Sequence, residues 1–107
     1  MVNEAKVLEV VEVARTSGKI RKGANETTKA IEKGEAKLVV YASDVSPKEI
    51  VMHLPLLCKD KNIPCVAVSK KEDLGAAAGL SLGTAAVAVV KEGEAKAALE
   101  EVLRNKE

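Results

Sequence analysis

Three short aliphatic runs, "KLVVYA" (37–42), "PCVAVS" (64–69) and "TAAVAVV" (84–90), constrain this chain more than any other feature. Their apolar residues are consecutive rather than alternating, and a strand that is apolar on both faces needs cover on both faces. Helical patterns lie between and around them. Val7, Leu8, Val11 and Ala14 recur at helical spacing as far as Gly18, which predicts an amphipathic, Gly-capped first helix. "KIRK" then reads as a short strand, and a second helix begins near Ala24 or Asn25 and closes at Gly34. Ser46 as N-cap and Pro47 at the first helical position open "SPKEIVMHLPLLCKDKN", where Pro55 should kink or restart the helix. "KKEDLGAAAG" reads as a short helix and "EAKAALEEVLRNK" as the closing one. Strands separated by helices of about ten residues imply a largely parallel or mixed sheet with helices on both faces, a three-layer α/β/α sandwich. A length of 107 residues makes room for one domain, 1–107, with no separate substrate domain.

The interior must be aliphatic, because Tyr41 is the only aromatic residue. The same fact removes any platform on which several bases could stack, so a nucleic acid would have to be read another way. No apolar run approaches the roughly 18 residues of a membrane span, and the amino terminus "MVNEAKVLEVVEVA" is acidic and amphipathic rather than signal-like. A cytoplasmic protein is expected. Cys58 and Cys65 form no CxxC and have no second pair, which fits neither a zinc site nor a disulfide framework. Buried or partly buried thiols are expected, with no metal and no cofactor. His53, the only imidazole, reads as a surface or packing residue.

Net charge is +1, which alone argues against an avid phosphate binder. Its distribution is uneven. Residues 15 to 37 carry seven basic residues against three acidic ones, so this segment is +4 and the remainder −3. Within it, "IRKGANETTKAIEKG" (20–34) surrounds an Asn-Glu pair with cations at a strand-to-helix junction. Gly23 lacks a Cβ and lets another backbone come close. The N–H groups of the helix start and the charges of Lys22 and Lys29 suit phosphate. Asn25, Glu26 and Lys29 fall at i, i+1 and i+4, so one helical turn can present an amide, a carboxylate and an ammonium to one partner. A guanine edge matches that set: its N1–H and N2–H₂ suit Glu26, while O6 and N7 suit Asn25 and Lys29. Composition and spacing leave a plainer alternative equally open, with Asn25 as an N-cap and Glu26 as an acid at the favourable end of a helix dipole.

"RKGANETTKAIEKG", "AKLVVYASDVSPKEIVMHLPLLCKDKNIPC" and "KKEDLGAAAGLSLGTAAVAVV", in that order, closely resemble the archaeal ribosomal protein L-seven-Ae and its eukaryotic spliceosomal and nucleolar relatives. The resemblance covers roughly residues 15 to 90. It implies an α/β/α sandwich with a mixed four-stranded sheet, and binding to kink-turn RNA, a helix–bulge–helix bend with tandem sheared G·A pairs. Targets of that kind lie in ribosomal RNA, in box C/D and H/ACA guide RNAs and in RNase P RNA, where ribonucleoprotein partner proteins join a chain that is a monomer when free. Position by position, Gly23, Asn25, Glu26 and Lys29 match the contacts to the sheared pairs and Lys22 matches a backbone contact. Ile50 and Lys71 match positions beside the pocket for the extruded nucleotide. Leu80, Ser81 and Leu82, in "GLSLGT" (79–84), match the second RNA-contacting loop. Two departures stand out: Ser46, where an acidic residue is frequent, and Gly83, where Pro is frequent.

Leu80 and Leu82 have a second reading as core residues at a strand start, but two Leu between two Gly favour an exposed turn, and the Gly content makes this loop the segment expected to move. Other function classes remain. A small enzyme or nucleotide-binding module is compatible with the fold class. Against it, no G-x-G-x-x-G or GxxxxGK[ST] follows a strand and no nucleophile–base pair is available, leaving Asp44 as the best catalytic candidate and equally a loop residue. A protein-binding scaffold acting through the "VSPKEIVMHLPLL" helix is the third class, and it is compatible with RNA binding.

Overall fold

Consecutive aliphatic residues do place the strands at the centre of the molecule. The computed structural model describes residues 4–47 and 49–104. Its elements are α1 (Glu4–Ser17), β1 (Lys19–Lys22), α2 (Ala24–Glu32), β2 (Leu38–Ala42), α3 (Glu49–Asp60), β3 (Cys65–Val68), α4 (Lys71–Ala77), β4 (Ala86–Lys91) and α5 (Lys96–Arg104), the last entered through a 3₁₀ turn at Gly93–Ala95. The strands form one sheet in the order β1-β4-β2-β3. β2 and β3 are parallel, and β4 runs antiparallel to both β1 and β2, so the sheet is mixed. Helices α2 and α3 pack together on one face, and α1 packs with α4 and α5 on the other. The α/β/α expectation holds.

The two central strands carry the core. Leu38, Val39, Val40 and Ala42 of β2 and Ala86, Val87, Ala88 and Val89 of β4 are buried, on both faces of the sheet. Above and below them lie Val7, Val10, Val11 and Ala14 of α1, Ile31 of α2, Leu54 of α3, Leu74 of α4 and Leu99 of α5. Each Val, Leu or Ile so buried contributes about 1.5–3 kcal/mol. With neither Phe nor Trp in the chain, Ala at facing positions lets the layers approach without leaving voids.

Four sequence readings shift. The third helix opens at Glu49: Ser46 and Pro47 lie in the bend before it, and the Ile50 N–H donates to the Pro47 carbonyl at 3.2 Å, an entry turn rather than a first helical turn. Pro55 sits inside an unbroken α3, so it does not restart the helix. The α1 helix stops at Gly18 as expected, with the Gly18 N–H donating to Ala14 at 2.8 Å, but for lack of space rather than a left-handed cap: a Cβ there would overlap the Lys91 carbonyl. The closing helix starts as a 3₁₀ turn, and its expected last residues, 105 and 106, lie outside the described residues. Among the described residues no helix is long and apolar enough to cross a membrane.

The start of α1 is tied to the end of β3 by Glu4, whose carboxylate accepts the Ser69 N–H at 3.0 Å and the Ser69 hydroxyl at 2.7 Å. The backbone bond, and after it the hydroxyl bond, hold the Glu4 carboxyl below its ordinary value. A carboxyl depressed in the folded state contributes stability that is present above the ordinary carboxylate range and lost as pH falls through the folded value. Glu4→Gln should therefore flatten the acid limb of a stability-against-pH curve measured by urea unfolding, leaving the two proteins closest at the lowest pH. Parallel curves for the two proteins would show that the Ser69 contact does not persist in solution.

Candidate nucleic-acid interface

Strand direction decides which loops meet. β1, β2 and β3 all run one way and β4 runs the other, so the exits of the first three strands and the entry to the fourth share one edge of the sheet. Lys22 ends β1 and Gly23 leads into α2 with Asn25, Glu26 and Lys29; Ile50 lies in the first turn of α3; Lys71 begins α4; and Leu80, Ser81 and Leu82 precede β4. All ten residues singled out in the sequence therefore gather at that edge.

The polar side is built on Gly23. It is the N-cap of α2, with φ 96° and ψ 156°, a conformation that essentially only glycine adopts. Its N–H donates to the Ala86 carbonyl at 2.8 Å, and no atom lies within 4 Å of where a Cβ would stand, so the approach to the helix start is open. Helix geometry leaves the N–H groups of Ala24, Asn25 and Glu26 without an intrahelical partner, while that of Thr27 donates to Gly23 at 2.9 Å. Asn25 is thus the second helical residue and not the cap, which removes the plainer reading of it. Its side chain is exposed on the outer face, opposite buried Thr27, Ala30 and Ile31. The Lys29 ammonium lies 3.7 Å from the Glu26 carboxylate, one turn on, with both side chains at least half exposed. Such a pair is worth about 0.3–0.5 kcal/mol. It balances the carboxylate in the free protein and yields readily to a better partner.

The apolar side is the 79–84 loop. Leu82 is 78% exposed, whereas Leu80 is half-buried against the core, so the two-Leu reading divides between its alternatives. Glycine here tightens the loop instead of loosening it. The Leu80 N–H donates to the Gly75 carbonyl at 2.9 Å and the Thr84 N–H to the Lys71 carbonyl at 3.1 Å, pinning both ends to α4. Between them, a Cβ on Gly75 would overlap the Leu82 carbonyl and come within 2.9 Å of the Gly83 Cα. Gly75 escaped the sequence reading, although a Gly inside a helical pattern is the available signal. Motion of this loop, expected from its Gly content, would have to break these contacts with α4.

Asp44 has a structural role as a loop residue. Its carboxylate accepts the Lys71 N–H at 2.9 Å, holding the start of α4 beside the site. Ile50 is 40% exposed. The basic segment also divides. Arg15 donates through Nε to the Ala77 carbonyl at 3.3 Å, while Lys19, Lys33 and Lys37 belong to the opposite edge, where β1 and β2 begin and α2 ends. Only Arg21, Lys22 and Lys29 of the seven stand near the candidate edge, a smaller cationic footprint than the linear charge count implies. Cys58 is buried and Cys65 half-buried, neither in a disulfide, and no cluster of three metal-capable side chains occurs among the described residues.

A mixed four-stranded sheet between helical layers, with the ten candidate residues gathered on one loop-bearing edge, defines a class of compact α/β module. The chain belongs to the ribosomal protein L7Ae/L30e/S12e/Gadd45 family, whose profile matches residues 5–99. Among solved structures it is similar to the Giardia lamblia 15.5kD RNA binding protein: identity is 34% and the TM-score 0.90, over 95% of this chain and 85% of that one.

Gly75→Ala should push the 82–83 backbone off α4. It should destabilise the protein by about 1–3 kcal/mol, the usual range for overpacking, measured by urea unfolding. Leu82 amide resonances should shift more than those of Asn25. Unchanged stability would mean that the loop stands further from α4 than its packing indicates.

Proposed function

We propose that this chain is an RNA-binding protein that recognises and stabilises kink-turns, with Asn25, Glu26 and Lys29 reading the sheared G·A pairs. The observation that carries the reading is the first turn of α2, where those three side chains are exposed together beside an open Gly23 backbone and the carboxylate is held only by a weak ion pair. A carboxylate repels phosphate, so its presence among cations makes sense where the partner offers N–H donors, as a guanine edge does. Lys22 would meet the backbone, and Ile50, Lys71, Leu80, Ser81 and Leu82 the bulge. Family membership and the RNA-binding name of the similar Giardia protein support the same assignment. The targets we favour are kink-turns in ribosomal RNA, in box C/D and H/ACA guide RNAs and in RNase P RNA. There the chain would act in the cytoplasm as a single-domain monomer that organises RNA for partner enzymes and carries no catalysis itself.

A protein contact coexists with this reading. Met52 and Leu56 of α3 are 62% and 72% exposed, an apolar surface suited to a ribonucleoprotein partner.

The test is a binding titration against a kink-turn RNA and the same RNA with its sheared G·A pairs changed to Watson–Crick pairs. Strong preference for the former is expected, and equal binding would refute the proposal. Glu26→Ala should weaken binding to the kink-turn by about 1–3 kcal/mol, the cost of a lost base contact. Tighter binding, as relief of charge repulsion would give, would remove Glu26 from base reading. Lys22→Ala should instead lower the salt slope by about one unit and leave the preference intact.

A further inference from the structure

His53 is far from the recognition edge in sequence, yet a chain of hydrogen bonds connects it to the first turn of α2. The Thr28 hydroxyl donates to the Ala24 carbonyl at 2.8 Å, and its oxygen lies 2.8 Å from His53 Nε2. A hydroxyl has one hydrogen to give. Given to Ala24, it leaves Thr28 Oγ1 as an acceptor, and the two bonds coexist only with the Nε2–H tautomer of His53. In that arrangement the His53 Nε2–H donates to Thr28 Oγ1, and the Thr28 O–H donates to the Ala24 carbonyl. The next group is covalent. The Ala24 carbonyl and the Asn25 N–H belong to one planar peptide unit, so a bond that orients the carbonyl also orients the amide and the Cα that carries the Asn25 side chain.

We propose that His53 and Thr28 are positioning residues for RNA recognition, holding the Ala24–Asn25 peptide in the orientation from which Asn25 and Glu26 meet their partner. The inference rests on the kink-turn reading of that site. Three points carry it. The N–H groups of a helix's first turn have no ladder partner and the turn frays more easily than the interior, so a side-chain bond to the Ala24 carbonyl, added to its ladder bond, restrains the peptide where the helix is weakest. The relay is anchored in α3, whose Leu54 and Val51 are buried in the core, and so it ties the recognition turn to a fixed element instead of to solvent. Its bonds also point one way, from imidazole to hydroxyl to peptide, and bonds aligned in series polarise one another by about 10–30% each. The Asn25 N–H, at the far end and lacking an intrahelical partner, is the donor that this polarisation strengthens.

The experiment uses the full chain with Thr28→Val, Thr28→Ser and His53→Gln, one imidazole and one amide readout, and the two RNAs of the preceding test. In the free protein, nitrogen-15 spectra of His53 should show the Nε2–H tautomer, and the Asn25 amide proton should move upfield in Thr28→Val but not in Thr28→Ser. With kink-turn RNA, Thr28→Val should bind about three- to tenfold more weakly, the effect of losing one hydrogen bond. Thr28→Ser and His53→Gln, which keep a hydroxyl and a donor, should stay within about twofold of wild type on the same scale. An Nδ1–H tautomer, or a Thr28→Val protein that melts lower yet binds the RNA as wild type does, would overturn the positioning role while leaving the kink-turn reading in place. Wild-type protein that does not distinguish the two RNAs would remove the parent reading and this one together.

Discussion

A single backbone bond, from the Gly23 N–H to the Ala86 carbonyl at 2.8 Å, joins the two sides of the recognition edge. Gly23 begins the helix that carries the polar residues, and Ala86 is where β4 starts after the apolar loop. The bond is the last rung of the β1–β4 pairing, so the separation between the two sides follows from sheet geometry and not from the conformation of either loop. It also explains the unusual backbone of Gly23. The chain must complete one more rung with β4 and then turn at once into α2, and the conformation that does both is closed to residues with a side chain. From this rung outward the rest is local, with α2 fixed by Ala30 and Ile31 in the core and the 79–84 loop fixed to α4.

Most of the fold was legible because its signals are the physical causes themselves. Consecutive aliphatic residues mark doubly covered strands, and "KIRK", "KLVVYA", "PCVAVS" and "TAAVAVV" all fall on observed strands with ends shifted by no more than two residues. The start of α3 was less legible, since Ser46 and Pro47 carry a helix-start pattern that the observed bend uses for a turn. At the site, the spacing of Asn25, Glu26 and Lys29 predicts one exposed turn, and they occupy one. What could not be read is whatever depends on a partner distant in sequence. Gly75 is an unremarked helical Gly until Leu82 is seen against it; Asp44 is a loop acid whose bond to the Lys71 N–H the sequence does not show; Arg15 is part of a basic segment until it is found on the Ala77 carbonyl. In each case the neighbour that fixes the residue's place is distant in sequence.

The electrostatics of the edge are better described as balanced than as basic. With a net charge of +1 and several cations of the 15–37 segment facing elsewhere, long-range attraction to a polyanion is modest. On the proposed function, selectivity would come from short-range matching, and the weak Glu26–Lys29 pair is suited to that, because opening it frees a carboxylate and an ammonium at little cost. A strongly cationic edge would gain affinity for every RNA at once, and so would lose discrimination.

The sheet order has a kinetic side. β4, the last strand of the chain, lies between β1 and β2 and is the only strand that bonds to both, so β1 has no strand partner until residues 86–91 are available. Closing that pairing brings together residues 65 to 72 positions apart, which makes it a long-range, entropically slow step in acquiring the native topology. During synthesis the α2 start and the 79–84 loop would therefore have no fixed relation to one another until residues 86–91 have left the ribosome. The candidate edge is assembled in one late event, and a chain cut before β4 lacks the rung that sets its two halves against each other.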